Sequence, residues 1–125
     1  MELSQVYCTL YQMDCLENKT SILYKGVAMS KSGYLSYSDD LGKQEFFYDE
    51  NTMRIYRNAD VQTEVFLNKH KMDKATVKSE YGTLTFDTKV NYFDVHLDSW
   101  VIEYSIYSGE TCSIHTRIEC SILKN

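Results

Sequence analysis

The residue with the clearest chemical potential is Arg57, which ends a short alternating segment. Met53, Ile55 and Arg57 share one side of that segment, so a guanidinium accompanies two apolar side chains toward any core. A buried guanidinium without a partner is very costly. The charge therefore requires an internal carboxylate such as Glu45 or Glu64, a ligand anion, or a path to solvent at a strand end. The sequence leaves these alternatives open.

The four cysteines offer a second kind of chemistry. Cys8, Cys15, Cys112 and Cys120 show no C-x-x-C spacing, so neither a zinc ribbon nor a thioredoxin-like site is indicated. If the first and last strands were antiparallel neighbours, Cys8 would face Cys120 and Cys15 would face Cys112 to within one residue. Two cross-strand disulfides or four free thiols are the alternatives, and a cytoplasmic compartment favours free thiols.

The histidines do not form a ligand set by spacing. His70, His96 and His115 fall in a turn, near a change of strand phase and on an outward face. His96 and Asp94 would line an interior, where a histidine can hold haem iron, only if their strand had no bulge. The chain also lacks the G-x-S-x-G and H-E-x-x-H motifs and a phosphate loop. We therefore expect no enzyme, no metal and no cofactor.

Composition narrows the class of protein. The net charge of −5 without a run of like charges gives no basic surface, so we expect no nucleic-acid partner. A hydrophobic fraction of 43% excludes a disordered chain. The start of the sequence lacks a secretory pattern, and the apolar runs are far shorter than the roughly 20 residues of a spanning helix. We expect a cytoplasmic protein without a membrane partner.

The elements that must position these residues are strands. β-Branched and aromatic residues make up about a third of the chain, whereas alanine occurs three times and proline not at all. Turn signals recur every eight to fifteen residues along one domain, residues 1–125. The predicted strands are 4–13, 20–30, 34–37, 43–48, 52–57, 61–67, 72–81, 82–97, 100–107 and 111–123. Such a meander hides its edges by closing, which predicts an antiparallel up-and-down β-barrel of about eight to ten strands.

Alternation along the strands predicts which side chains face inward. In the last strand these are Cys112, Ile114, Thr116, Ile118, Cys120 and Ile122. In the long strand after Gly82 the inward set begins as Leu84, Phe86, Thr88 and Val90, then changes phase to Phe93, Val95 and Leu97. One extra residue moves every later side chain to the other face, so we expect a β-bulge near Val90–Tyr92.

Several motifs resemble a known family in their order along the chain. They are the run from Met53 to Ala59, then Val65-Phe66, then the run from Glu80 to Leu84, flanked by the runs from Gly33 to Tyr37 and from Ile102 to Ile106. This order is similar to that of the YwiB-like family, which comprises small cytoplasmic bacterial proteins of unknown function. The resemblance implies a lipocalin-like (calycin) β-barrel and no established reaction.

A barrel of this size suggests binding of a small apolar or anionic molecule in its interior. Arg57 would anchor an anionic group, Tyr37, Tyr104 and Thr116 would donate hydrogen bonds, and Phe86, Trp100 and Ile118 would form the apolar wall. The alternative is a barrel filled by side chains that acts as an interaction or self-assembly module, either monomeric or a weak homodimer. Its surface would be outward tyrosines, namely Tyr7, Tyr11, Tyr56 and Tyr107, which on a sheet can equally be ordinary cross-strand pairs.

Overall fold

The computed structural model describes residues 2–124, which form ten β-strands. The strands are β1 (Ser4–Asp14), β2 (Lys19–Lys31), β3 (Tyr34–Asp39), β4 (Gly42–Tyr48), β5 (Thr52–Asn58), β6 (Gln62–Asn68), β7 (Asp73–Ser79), β8 (Gly82–Val95), β9 (Ser99–Ser108) and β10 (Thr111–Lys124). Residues 2–124 contain no helix with the length and apolar character that crossing a membrane requires.

The strands form one closed antiparallel barrel. Each pairs with its neighbours in sequence, and β1 closes the ring by pairing with β10 from Val6 opposite Lys124 to Asp14 opposite Thr116. The predicted all-β, up-and-down barrel is confirmed, and its architecture is consistent with a lipocalin-like barrel. The predicted facing of the cysteines is wrong, because Cys8 pairs with Ile122 and Cys120 with Leu10. All four cysteines are free thiols, as the alternative expected.

Two tight turns depend on glycine. Gly33, between β2 and β3, has φ of +72°, and a Cβ there would lie 2.6 Å from the carbonyl oxygen of Tyr48. Gly42, at the start of β4, has φ of +120°, and its Cβ would lie 2.3 Å from the carbonyl oxygen of Asn58. Any other residue would be strained and would collide with backbone at these positions.

The predicted bulge in the long strand is confirmed. The register of β8 against β9 shifts between Val90 and Tyr92, so that Asn91 is the extra residue. The Asn91 amide donates to the hydroxyl oxygen of the buried Ser105 at 2.8 Å, which fixes the extra residue against β9. The shift turns Phe93 into the core, as expected.

Near the ends of the strands, some residues that were predicted to face the core are exposed. Leu84, Leu97 and Ile114 are 63%, 85% and 46% exposed, although alternation predicted that all three face the core. Leu84 lies near the start of β8 and Leu97 follows its end, beyond the packed interior. Ile114 follows a register shift in β10, which changes the pairing between Cys112 and Ile114. On the same face, the side chains from Thr116 to Ile122 are buried, as predicted.

The interior of the barrel is filled by its own side chains. Those almost wholly removed from solvent include Leu10, Leu35, Phe46, Met53, Leu67, Trp100 and Ile102. The Trp100 ring lies 5.1 Å from that of Phe46 and 5.8 Å from that of Tyr48, centroid to centroid. Burial of one such side chain contributes about 1.5–3 kcal/mol to stability.

At two positions in the barrel the backbone pairing between neighbouring strands stops, and side chains connect the structure there. β2 pairs with β3 only from Met29 to Lys31, and beyond this the rings of Tyr24 and Tyr37 stack at 3.9 Å. Elsewhere the pairing of β6 with β7 stops at Val65, and the buried Thr88 hydroxyl donates to the carbonyl of Phe66 at 2.6 Å. Side chains thus replace backbone pairing where strands diverge.

Candidate functional site

Arg57 forms an internal ion pair. Its guanidinium lies 3.2 Å from the carboxylate of Asp39, and each side chain is 21% exposed. The predicted partners are wrong: Glu45 instead accepts a hydrogen bond from the Tyr34 hydroxyl at 2.6 Å, and Glu64 forms no ion pair with Arg57. β3 brings Asp39 to the end of β5, a proximity that sequence spacing did not reveal. The charge of Arg57 is therefore balanced within the chain.

The predicted hydrogen-bond donors are buried but do not converge. Tyr37 is 4% exposed, and its hydroxyl has no partner among the described residues. Burial raises the pKa of Tyr37, and it raises the pKa of Tyr104 to about 12. Thr116 lies opposite Tyr104, but its hydroxyl donates to the carbonyl of Met13 at 3.1 Å and accepts from Gln12 at 3.2 Å. Thr116 thus links β10 to β1, where the barrel closes, and its hydroxyl is already engaged.

The predicted apolar wall is part of the core. Trp100 and Ile118 are 1% and 4% exposed, and Phe86 is partly buried against the same cluster. Of the seven predicted site residues, Arg57 lines a recess of about 220 Å³, and none lines the larger cavities of about 480 and 460 Å³. The predicted wall residues belong to or pack against the core, and their role in ligand binding stays a prediction.

The largest of these cavities lies at one end of the barrel and has a volume of about 480 Å³. Apolar side chains contribute to its lining, namely Val6, Tyr48, Val95, Leu97 and Ile122. Polar and charged ones also line it: Glu2, Ser4, Gln5, Ser30, Lys31, Ser32, Asp49, Glu50, His96 and Lys124. This size is typical of small-molecule sites, and the mixed lining suits an amphipathic ligand.

The polar groups of this end cavity differ in how they are engaged. One Asp49 oxygen accepts from the backbone amides of Asn51 and Thr52, both at 2.8 Å, and these bonds lower the pKa of Asp49. Lys124 lies 3.2 Å from Asp98. Lys31 instead lies 5.5 Å from the centroid of the Tyr34 ring, and within residues 2–124 it forms no ion pair. Its ammonium is thus available at the rim.

A second cavity of about 460 Å³ adjoins the first and contains an unpaired arginine. The two cavities share Gly33, Tyr48 and Asp49. Arg54 borders the second cavity, and its guanidinium carbon lies 5.0–5.7 Å from the ring centroids of three aromatic residues, Phe47, Tyr56 and Phe66. No carboxylate of the described chain pairs with Arg54. Arg54, unlike Arg57, therefore forms no ion pair within the described chain.

Sequence reasoning missed this end of the barrel for a geometric reason. The lining comes from the ends of β1, β2, β4, β8 and β10 and from the turns beside them. The alternation of apolar and polar residues shows which face of a strand points inward. It does not show at which end of the barrel a cavity remains. The sequence did contain one usable signal. Arg54 alternates with the inward residues Met53 and Ile55, so its guanidinium is expected to point outward, among outward aromatic residues.

The three histidines lie apart, each beside its own partner. The His70 ring lies 3.1 Å from the side-chain oxygen of Asn51. His96, which borders the end cavity, lies 3.0 Å from Asp94, and the bulge turns both side chains away from the core. His115 lies 2.9 Å from Glu103. The thiol of Cys15 lies beside this second pair, and the three ligand atoms fall within 4.8 Å of one another. Sequence spacing gave no indication of this cluster, because its residues come from three different parts of the chain.

An apolar face lies on the outside of β10, β1 and β2. It consists of Tyr7, Tyr11, Ile22, Val27 and Leu123, which are 40–67% exposed. Tyr7 pairs with both Val27 and Leu123, which makes one apolar row across three strands, whereas Tyr11 and Ile22 form a separate pair beyond the polar row of Thr9, Lys25 and Ser121. Of the tyrosines predicted outward, Tyr7 and Tyr11 belong to it, whereas Tyr56 and Tyr107 are half-buried elsewhere.

Comparisons with known proteins bear on the fold. No protein-family model and no curated protein matches the sequence. Among solved structures, the chain is similar to the crystal structure of the ywiB protein from Bacillus subtilis, with a TM-score of 0.73 and 15% identity over 98% of this chain and 93% of that one. At this identity the similarity establishes a shared fold. The ywiB structure and the sequence motifs thus point to the same YwiB-like resemblance.

Proposed function

We propose that the protein is a non-catalytic, cytoplasmic, calycin-like barrel of the YwiB-like family that binds a small amphipathic molecule at one end of the barrel. The observation that carries this proposal is the end cavity of about 480 Å³ with an apolar contribution from Val6, Tyr48 and Ile122. The filled interior argues against binding deeper in the barrel. Four free thiols support a reducing compartment.

The adjoining cavity supports an anionic end on the ligand. Arg54 lies there without a carboxylate partner, and Lys31 is unpaired at the rim of the end cavity. An apolar body would contact the lining of the end cavity, and its anionic group would reach the Arg54 guanidinium. Arginine suits this role because its planar fork of donors matches carboxylate and phosphate oxygens.

Two fluorescent probes test the proposal, one neutral (N-phenyl-1-naphthylamine) and one anionic (8-anilinonaphthalene-1-sulfonate). Leu97 at the cavity rim and Leu84 at the other end of β8 are both exposed, which makes L97D and L84D a matched pair. We expect L97D to weaken binding of the neutral probe about fivefold, because partial burial of a leucine contributes about 1 kcal/mol. L84D should bind it as the unmodified protein does.

The anionic group is tested separately. R54Q should weaken binding of the sulfonate probe about tenfold and leave the neutral probe unaffected, whereas K89Q removes an equal charge from β8 and should change neither. Equal effects of L97D and L84D would contradict binding at the end cavity. Native mass spectrometry of freshly purified protein then identifies a ligand that copurifies.

A second candidate function is protein interaction through the apolar face. The observation that favours it is the exposed row of Tyr7, Val27 and Leu123 across three adjacent strands, because exposed apolar patches can mark interaction sites. Sedimentation equilibrium across a range of concentrations, with V27D as the variant, tests self-association. A weak dimer that V27D dissociates would support it, and a monomer at high concentration would contradict it. V27D also shows whether either probe binds this face instead of the end cavity.

A further inference from the structure

Three potential metal ligands meet on the outer surface, at the end of the barrel opposite the end cavity. Glu103 lies on β9, His115 on β10, and Cys15 directly after β1. The backbone amide of Cys15 donates to the carbonyl of His115 at 2.8 Å, which fixes the two residues opposite each other. All three side chains are partly buried, and their ligand atoms lie within 4.8 Å of one another.

We propose that Cys15, Glu103 and His115 bind one Zn²⁺ ion. Thiolate, imidazole and carboxylate are the ligands of zinc sites, with bonds of about 2.0–2.3 Å and therefore ligand atoms about 3.3–3.8 Å apart. Small side-chain rotations reach this spacing from 4.8 Å. The thiol releases its proton to solvent on binding. Three protein ligands leave a fourth position open to water or to an added molecule.

The surroundings of the cluster suit a divalent ion. One oxygen of Glu103 lies 2.9 Å from His115, and the other lies 3.6 Å from the guanidinium of Arg117. Arg117 also contacts Glu119 at 3.5 Å and stacks over Tyr92 at 5.2 Å. A zinc ion with one thiolate and one carboxylate is neutral overall, and Glu119 balances Arg117. A ligating carboxylate held by a second group is the usual arrangement around such ions.

The chain contains matched controls for both the thiol and the imidazole. Cys112 is the other partly buried cysteine, and its thiol lies near the carbonyl of Ile114, outside the cluster. His96 forms an imidazole–carboxylate pair with Asp94 at 3.0 Å, close to the 2.9 Å of the His115 pair but outside the Cys15 cluster. C112S and H96Q therefore remove the same groups as C15S and H115Q without affecting the proposed site.

Cobalt and zinc ions alone test the proposal on the reduced, full-length protein. We expect Co²⁺ to bind at one ion per protein molecule and to give a thiolate charge-transfer band in the near ultraviolet. Zn²⁺ should displace the Co²⁺ and abolish this band. C15S should abolish the band, and C15S and H115Q should each weaken Zn²⁺ binding at least tenfold, whereas C112S and H96Q should not. Circular dichroism verifies that each variant is folded. Absence of the band from the unmodified protein, or its loss in C112S alone, would overturn the proposal.

Discussion

The ion pair between Asp39 and Arg57 allows a quantitative test of what Arg57 does. At 3.2 Å and an effective dielectric constant of about 20, the attraction is about 5 kcal/mol before desolvation. Both side chains are about four-fifths buried, so desolvation offsets more than half of this. We expect D39N to lower the free energy of unfolding by about 2 kcal/mol, since it leaves the guanidinium without a counter-charge.

The R57L variant and the D39N/R57L double variant complete a double-mutant cycle for this ion pair. R57L should cost about 1 kcal/mol, because the leucine retains apolar contacts at the end of β5. The double variant should cost about 2 kcal/mol, less than the sum of the single changes, which gives a coupling of about 1 kcal/mol. Each kilocalorie corresponds to a fall of roughly 3–5 °C in the melting temperature for a chain of this size.

Urea unfolding followed by Trp100 fluorescence measures these energies, because Trp100 is buried in the core. R57L should also bind both fluorescent probes normally, since Arg57 lies at the opposite end of β5 from the end cavity. A coupling below about 0.3 kcal/mol would refute the internal pair. Loss of sulfonate binding in R57L with unchanged stability would instead identify Arg57 as the ligand anchor.

Three further predictions concern the core. T88V should cost about 1 kcal/mol, measured by urea unfolding, because it removes the 2.6 Å hydrogen bond from the buried Thr88 hydroxyl to the carbonyl of Phe66. Tyr104, whose pKa is about 12, should keep its proton past pH 10 in absorbance titrations at 295 nm; the stability that its burial provides is complete below pH 10 and is lost as the pH rises through 12. Cys8 and Cys120 should react with a thiol reagent only on unfolding, whereas Cys15 and Cys112 react in the folded protein, because the core excludes the reagent and burial raises the pKa of both core thiols, that of Cys8 to about 11.

Each of these has a contradicting result. An unchanged unfolding midpoint for T88V, with T88S as the variant that keeps the hydroxyl, would show that the hydrogen bond contributes nothing. Titration of all tyrosines near pH 10 in the folded protein would contradict the burial of Tyr104. Reaction of four thiols at one rate before unfolding would contradict the placement of Cys8 and Cys120.

The strands and their phase could be predicted because both follow from local alternation. The bulge at Asn91 is the clearest case, since the apolar pattern itself changes phase there. Alternation alone does not fix the register between distant strands. The cysteines were therefore placed two residues out of register across the seam, as the pairing of Cys8 with Ile122 shows.

The site was harder to predict because it depends on which groups meet across strands. Parity correctly turned Arg57 inward, but the identity of its partner required the position of β3. The predicted donors are buried and the predicted wall is part of the core, where the wall residue Trp100 packs against the ring of Phe46. Whether a barrel is hollow depends on the total volume of the inward side chains from all strands, so no single segment of the sequence indicates it.

The seam between β1 and β10 has a consequence for how the chain reaches its native state. Nine of the ten strand pairings join consecutive strands, whereas the seam joins residues such as Gln12 and Thr116, which are 104 positions apart, and the pairing of Val6 with Lys124 spans still more of the chain. Local hairpins form early, and the long closure carries the larger entropic cost. We expect the ribosome to release the last strand before the ring can close. Until then β1 has an unpaired edge, and this nascent sheet is the species that is most vulnerable to aggregation.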